Sequence, residues 1–157
     1  MSRIIKTGLL SLGLTATMTA GAFAGSCPAD KVLKTPRVIE EVTDASKLQA
    51  DVVNAVDPTG WRGVKGLMLR TRRLTILPGG FVPTHSHEDR PAIIYIISGE
   101  IIEHNTTCAV AIVHKAGEST GEFGGTLKHW WENKGKIEVV LTSSDVVPPD
   151  QLDGPDM

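Results

Sequence analysis

The chain is 157 residues long, and its scarcities narrow the reading first. It has no run of basic residues; the densest cluster is Arg70, Arg72 and Arg73. Lysine and arginine total 16 against 18 aspartates and glutamates, a net charge of −2. Nucleic acids and anionic membranes, which bind through basic patches, are therefore not expected partners. Cysteine occurs only at Cys27 and Cys108, so one disulfide is the most the chain can form. No convincing membrane span is present. The uncharged stretch from Gly8 to Gly21 is short and broken by Gly, Thr and Ser. There is no internal repeat and no sign of a second domain, and the length suits one domain around one core.

What is present begins with an export signature. Arg3 and Lys6 form a short basic region ahead of that apolar stretch, and Ala22-Phe23-Ala24 fits an A-x-A cleavage site. Residues 1–24 read as a secretory signal peptide, so the mature protein is expected in the periplasm or outside the cell. Removing them takes away two of the 16 basic residues and none of the 18 acidic ones, leaving −4. Cys27, after Ala24-Gly25-Ser26, keeps a lipoprotein open as a minor alternative. In an oxidising compartment an even pair of cysteines suggests a disulfide, which would tie the mature N-terminus to the middle of the domain. Two cysteines so far apart in sequence need not meet in space, so the pairing stays open.

Residues 25–65 read as an N-terminal extension. Arg37–Val42 is expected to be an edge strand. From Asp44 to Ala55, with Leu48, Val52, Val53 and Val56 recurring near a 3.6 period and Asp44 or Ser46 as cap, the pattern predicts one short helix. Asp57-Pro58-Thr59-Gly60 is a turn. Residues 66–145 read as strand after short strand: 67–77, 81–87, 92–97, 100–104, 109–114, 127–132 and 137–142. Such a series means a sandwich or a closed barrel. Residues 146–157 form a polar, Pro-rich tail.

The centre of the chain is Pro78 to Gly99. His85 and His87 lie two residues apart, so in a strand both imidazoles project to one side. Pro78-Gly79-Gly80 is a turn signal, Pro83 disfavours helix, and Ala92-Ile93-Ile94-Tyr95-Ile96-Ile97 reads as a buried strand ending at Ser98-Gly99. A third imidazole, His129, can return to the first two only if the sheet folds back on itself. Gly79, five residues, His85-Ser86-His87 and later Gly99 resemble the first cupin motif. His129, three residues and Asn133 resemble the end of the second, whose Pro-x-Gly element is missing. The resemblance implies an all-β cupin barrel, a jelly roll or double-stranded β-helix, here with one short N-terminal helix.

It also implies a metal centre. The family's glutamate would fall at Ala92 or Pro91, neither of which binds metal, so the expected ligands are His85, His87 and His129 alone. Three neutral imidazoles suit a divalent ion: Fe, Zn, Mn, Ni or Cu. In this superfamily that ligand set is similar to those of certain dioxygenases. With no carboxylate base near, O2 chemistry or simple binding ranks ahead of proton transfer. The expected function is an exported, metal-binding cupin acting as a dioxygenase on a small carboxylate- or enolate-bearing molecule. The alternative is a non-catalytic module that binds a small ligand. Catalytic residues are not named by the sequence, and a homodimer is left open. Strand parity turns Ile94, Ile96 and Trp131 inward as pocket walls and Tyr95 and Trp130 outward. Arg90 stands in the loop leaving the site, where it can receive a carboxylate. Asn133 is expected to close a turn. His104 and His114 lie outside the motifs and are expected at the surface or at strand ends.

Overall fold

A computed structural model describes residues 25–153, so the signal-peptide reading of residues 1–24 lies outside the described residues. The architecture is nearly all β. Eight strands follow in order: β1 (Ser46–Val56), β2 (Met68–Ser86), β3 (Ala92–Ser98), β4 (Glu100–Asn105), β5 (Ile112–Lys115), β6 (Ser119–Glu122), β7 (Lys128–Glu132) and β8 (Val139–Val147). Single 3-10 turns lie at Ala29–Lys31 and Pro149–Gln151. The strands pair in the order β5-β4-β7-β2-β8-β3-β6, all antiparallel, with β1 added on β2. This is a nearly closed barrel.

Strand β2 organises it. The expected turn at Pro78-Gly79-Gly80 is instead a bend within one 19-residue strand. Before the bend β2 pairs with β8 and with most of β1, and after it with β7 and, at Phe81, with Ser46 of β1, so the same strand contributes to both sides of the barrel. Gly79 adopts φ +72°, a left-handed conformation that glycine tolerates at little cost. A Cβ on Gly80 would sit 2.8 Å from the Ser46 carbonyl oxygen. Asn133 fastens the bend. Its backbone bonds Gly79 and Gly80, and its side chain donates to the carbonyls of Ile76 and Ile137 at 2.9 Å each.

The expected helix at Asp44–Ala55 does not form; β1 occupies that stretch and pairs with β2 from Ser46↔Phe81 to Val56↔Leu69. Leu48, Val52 and Val56 are spaced by four, a multiple of two, so they satisfy a strand as well as a helix. The long unpaired edge of β2 decides the matter, with backbone partners along nearly the whole segment. Arg37–Val42 is not a strand either. It crosses the sheet as an extended strap held at points: the Arg37 backbone N–H donates to the Thr106 carbonyl at 2.8 Å, and the Val42 N–H donates to Thr84 Oγ1 at 2.9 Å.

The core follows the alternation of the strands. In β3, Ala92, Ile94 and Ile96 are buried while Ile93, Tyr95 and Ile97 are exposed. They pack with Leu74, Ile76, Val82, Ile101, Trp131, Val139 and Leu141. Cys27 and Cys108 are bonded to each other, pinning the N-terminal segment beside the β4–β5 turn. No helix among the described residues is long and apolar enough to cross a membrane.

Candidate metal centre

His85 lies at the end of strand β2 and His87 just beyond it, and His129 lies on β7 directly opposite His85 in the ladder. The pairing that closes the barrel therefore brings the three imidazoles together. Nε2 of His85 is 3.1 Å from Nε2 of His87 and 3.0 Å from Nε2 of His129. Each ring's other nitrogen faces an acceptor: the Pro83 carbonyl at 2.8 Å from His85, the Arg90 carbonyl at 2.8 Å from His87, and Glu103 Oε1 at 2.7 Å from His129. A carbonyl or carboxylate can only accept, so each Nδ1 carries its proton and each Nε2 of the neutral ring offers a lone pair. Three lone pairs then point at one another. A proton can relieve one such contact; a cation relieves all of them.

A fourth candidate ligand stands beside them, where the sequence suggested none. Glu122, at the end of β6, is directly opposite Ala92 in the β3–β6 ladder. Its Oε2 is 3.0 Å from His87 Nε2, and its Oε1 is buried with no hydrogen-bond partner. The carboxylate absent from position 92 is thus supplied by the facing strand, across a side chain small enough to leave room for it. The expectation of three histidines alone is corrected: His85, His87, Glu122 and His129 form a group that can hold a metal ion. An orphaned carboxylate oxygen and converging imidazole lone pairs are the donor set such an ion requires. The signal for Glu122 in the sequence was faint, since Ser119–Glu122 is a four-residue strand between glycines.

The electrostatics are set by burial. It works to raise the Glu103 carboxyl, yet hydrogen bonds from His114 and His129 outweigh it and hold the group far below its ordinary range. Burial also opposes a charge on His129, but Glu122 and Glu103 raise it above its ordinary value. His85, buried and beside His129, is held well below its own. The Trp131 indole N–H points at His129 Nδ1 from 3.2 Å, but Nδ1 carries the proton that it donates to Glu103 at the shorter 2.7 Å.

Next to the four ligands is a cavity of about 30 Å3 lined by apolar Leu74, Val82, Ile94 and Trp131 and by cationic Arg72 and Arg90. Of the pocket residues expected from the sequence, Ile94, Trp131 and Arg90 line it; Ile96 is in the core but not in this wall. Arg72 was not anticipated. Asp145, 1% exposed, gathers the arginines: Arg70 holds it by two contacts at 3.0 and 2.7 Å, Arg72 stands at 3.6 Å and Arg90 at 3.9 Å. Burial, with Arg70 adjacent, pushes the Arg72 guanidinium down to about 10 against the pull of Asp145, so it stays charged at neutral pH.

Of the two histidines outside the motifs, His114 differs from expectation, whereas His104 stands on the outer face near the end of β4. His114 is buried at 1% exposure, its Nε2 2.9 Å from Glu103 Oε2 and its ring stacked on Trp131 at 4.5 Å. It backs the carboxylate that orients His129. His104 stacks on Trp130 at 4.1 Å and pairs with Glu132 at 2.7 Å, on the outer face of β4 and β7. Trp130 does point outward, as parity required, but the strap of residues 37–44 covers it.

Barrel and site together define a cupin fold. Among solved structures, the chain is similar to a protein from Thermotoga maritima described as a predicted oxalate decarboxylase, at 20% identity over 78% of this chain and 98% of that one, TM-score 0.53. It is also similar to the Cnp3 cupin domain of Schizosaccharomyces pombe, at 14% identity over 69% of this chain and 70% of that one, TM-score 0.52. By sequence, the chain matches no family model and no curated protein.

Proposed function

We propose that the protein is exported, binds a divalent metal ion through His85, His87, Glu122 and His129, and acts there on a small anion. One observation carries this: three histidines, each with its Nδ1 committed to an acceptor, aim their Nε2 atoms at a single point beside a buried carboxylate oxygen that has no hydrogen-bond partner. Imidazole and carboxylate together suit Fe, Zn, Mn, Ni or Cu. Such an ion would polarise a substrate oxygen or, if redox-active, give access to O2 chemistry.

The residues around the site select the substrate. Arg72 and Arg90 present positive charge to the cavity, which favours a carboxylate or enolate oxygen. Leu74, Val82 and Ile94 keep bulk water away from it. A volume of about 30 Å3 is room for roughly two waters, so the substrate is small or displaces the wall as it enters. Glu122, at 3.0 Å from His87, is also the group best placed to hold a proton if it is not bound to the ion. The finer reading is a metal-dependent oxygenase for a small carboxylate. Export is supported by the leader-like residues 1–24 and by the Cys27–Cys108 bond, which suits an oxidising compartment.

The test is metal analysis of protein purified without a His-tag, followed by O2 uptake with a panel of small mono- and dicarboxylates, using His129→Ala as control. Stoichiometric metal and turnover that both vanish in the variant are expected. Protein without stoichiometric metal would overturn the centre. Metal without turnover of any panel member would favour a non-catalytic binding module.

A further inference from the structure

Gly25 is buried, has φ +85° and lies two residues from Cys27, which is fixed to Cys108. A Cβ on it would lie 2.8 Å from Nδ1 of His114 and 3.2 Å from Oε2 of Glu118. The first residue after the expected cleavage site is therefore packed against two polar groups of the barrel.

Those groups want a donor. His114 gives its Nε2 proton to Glu103 at 2.9 Å, so Nδ1 is left with a lone pair. That atom is buried and has no hydrogen-bond partner. Glu118 Oε2 accepts from the Lys115 backbone N–H at 2.8 Å and has capacity for more. An amide N–H offers one uncharged donor. An α-ammonium offers three and a positive charge, enough for the imidazole nitrogen and the carboxylate together.

We propose that His114 and Glu118 form a docking site for a primary ammonium, and that its ligand is the protein's own N-terminus, freed by cleavage between Ala24 and Gly25. Water hydrolyses that peptide bond: its hydroxide ends on the Ala24 carbonyl carbon, the C–N bond breaks and the departing nitrogen takes water's other proton, and the new carboxylic acid gives up its proton to leave an Ala24 carboxylate and the Gly25 α-ammonium. Because Gly25 is buried in the folded protein, the cut comes first, on the extended chain during export. Closure of the Cys27–Cys108 bond then seats the new terminus. The docked amine ends a buried line of contacts that runs through His114 and Glu103 to His129. It would hold His114 in the tautomer that supports Glu103, making completion of the barrel depend on processing. The inference rests on the export reading above but not on the metal.

The experiment expresses the full chain with its leader, recovers the exported protein, and reads its intact mass and the rate at which its α-amine is acylated near neutral pH. The expected mass begins at Gly25. A docked ammonium beside a carboxylate has a raised pKa, so acylation should be about tenfold or more slower than in denaturant, the effect of one unit. Glu118→Gln leaves the cleavage motif untouched and should restore most of that rate and lower the Tm. A different first residue, or a lipid on Cys27, would overturn cleavage after Ala24 and with it the ligand, and an intact Met1 would overturn the export reading as well. A Gly25 terminus that labels as fast folded as unfolded, or at a rate Glu118→Gln does not change, would overturn the docking site alone.

Discussion

At the proposed metal centre, the residue with the largest bearing on metal binding is Glu122. Glu122→Gln keeps the shape of the side chain but removes its charge. Metal affinity, measured by competition with a chelator, should fall by one to two orders of magnitude while the fold survives. Asp145 is the structural counterpart, a buried carboxylate against Arg70, Arg72 and Arg90. Asp145→Asn leaves those cations without their counter-charge and should destabilise the protein by roughly 3–5 kcal/mol in denaturant unfolding. A milder effect belongs to Glu132. Burial works to raise its carboxyl, but Lys134 at 2.8 Å and His104 at 2.7 Å lower it overall below the ordinary 4.5. A carboxyl depressed in the folded state contributes stability that is present above 4.5 and is lost as pH falls through the lower folded value. Thermal melts from neutral pH downward should therefore show a steeper loss below 4.5 in wild type than in Glu132→Gln.

At the scale of elements, the ladder between β3 and β6 decides where the carboxylate comes from. Ala92 and Glu122 face each other. Ala92→Glu alone would place a second carboxylate against the first in a buried site, and both metal affinity and Tm should drop. Combined with Glu122→Ala, the same substitution moves the carboxylate to the other strand, and metal binding should return toward wild type. If the double variant binds no better than Glu122→Ala, position 92 does not face the ion. Strand β1 shows the opposite kind of dependence. Its apolar residues are spaced by four and suit either period, and most of the strand is exposed. Its conformation is set by pairing with β2 rather than by its own pattern.

For the whole molecule, the Cys27–Cys108 bond is a covalent cross-link between residues 81 apart in sequence. In the chain-entropy picture a loop of that size stabilises by about 4–5 kcal/mol. Cys27→Ser should lower the unfolding free energy by that order, as should reduction of wild type, with both measured by denaturant titration. A loss no greater than for a surface substitution would mean that the N-terminal segment is held mainly by its other contacts, among them the Leu33 N–H to the Thr107 carbonyl at 2.9 Å.

The sequence by itself determined the class of fold and three of the four candidate ligands. Alternation along Ala92–Ile97 and the spacing of His85 and His87 depend only on neighbours in the chain, because a strand puts every second side chain on one face. His129 was legible through the motif that ends at Asn133. Tertiary structure decided the rest. Glu122 enters the site because β6 pairs with β3, and no local pattern reports which strand will lie beside another. His114 is buried because Glu103, eleven residues earlier, is turned inward to meet it. The bend at Pro78-Gly79-Gly80 continues a strand instead of ending it, because Asn133 bridges the break from a different part of the chain. Periodicity is a property of consecutive residues, whereas register is a property of two segments folded together. The charge and geometry of this site depend on register.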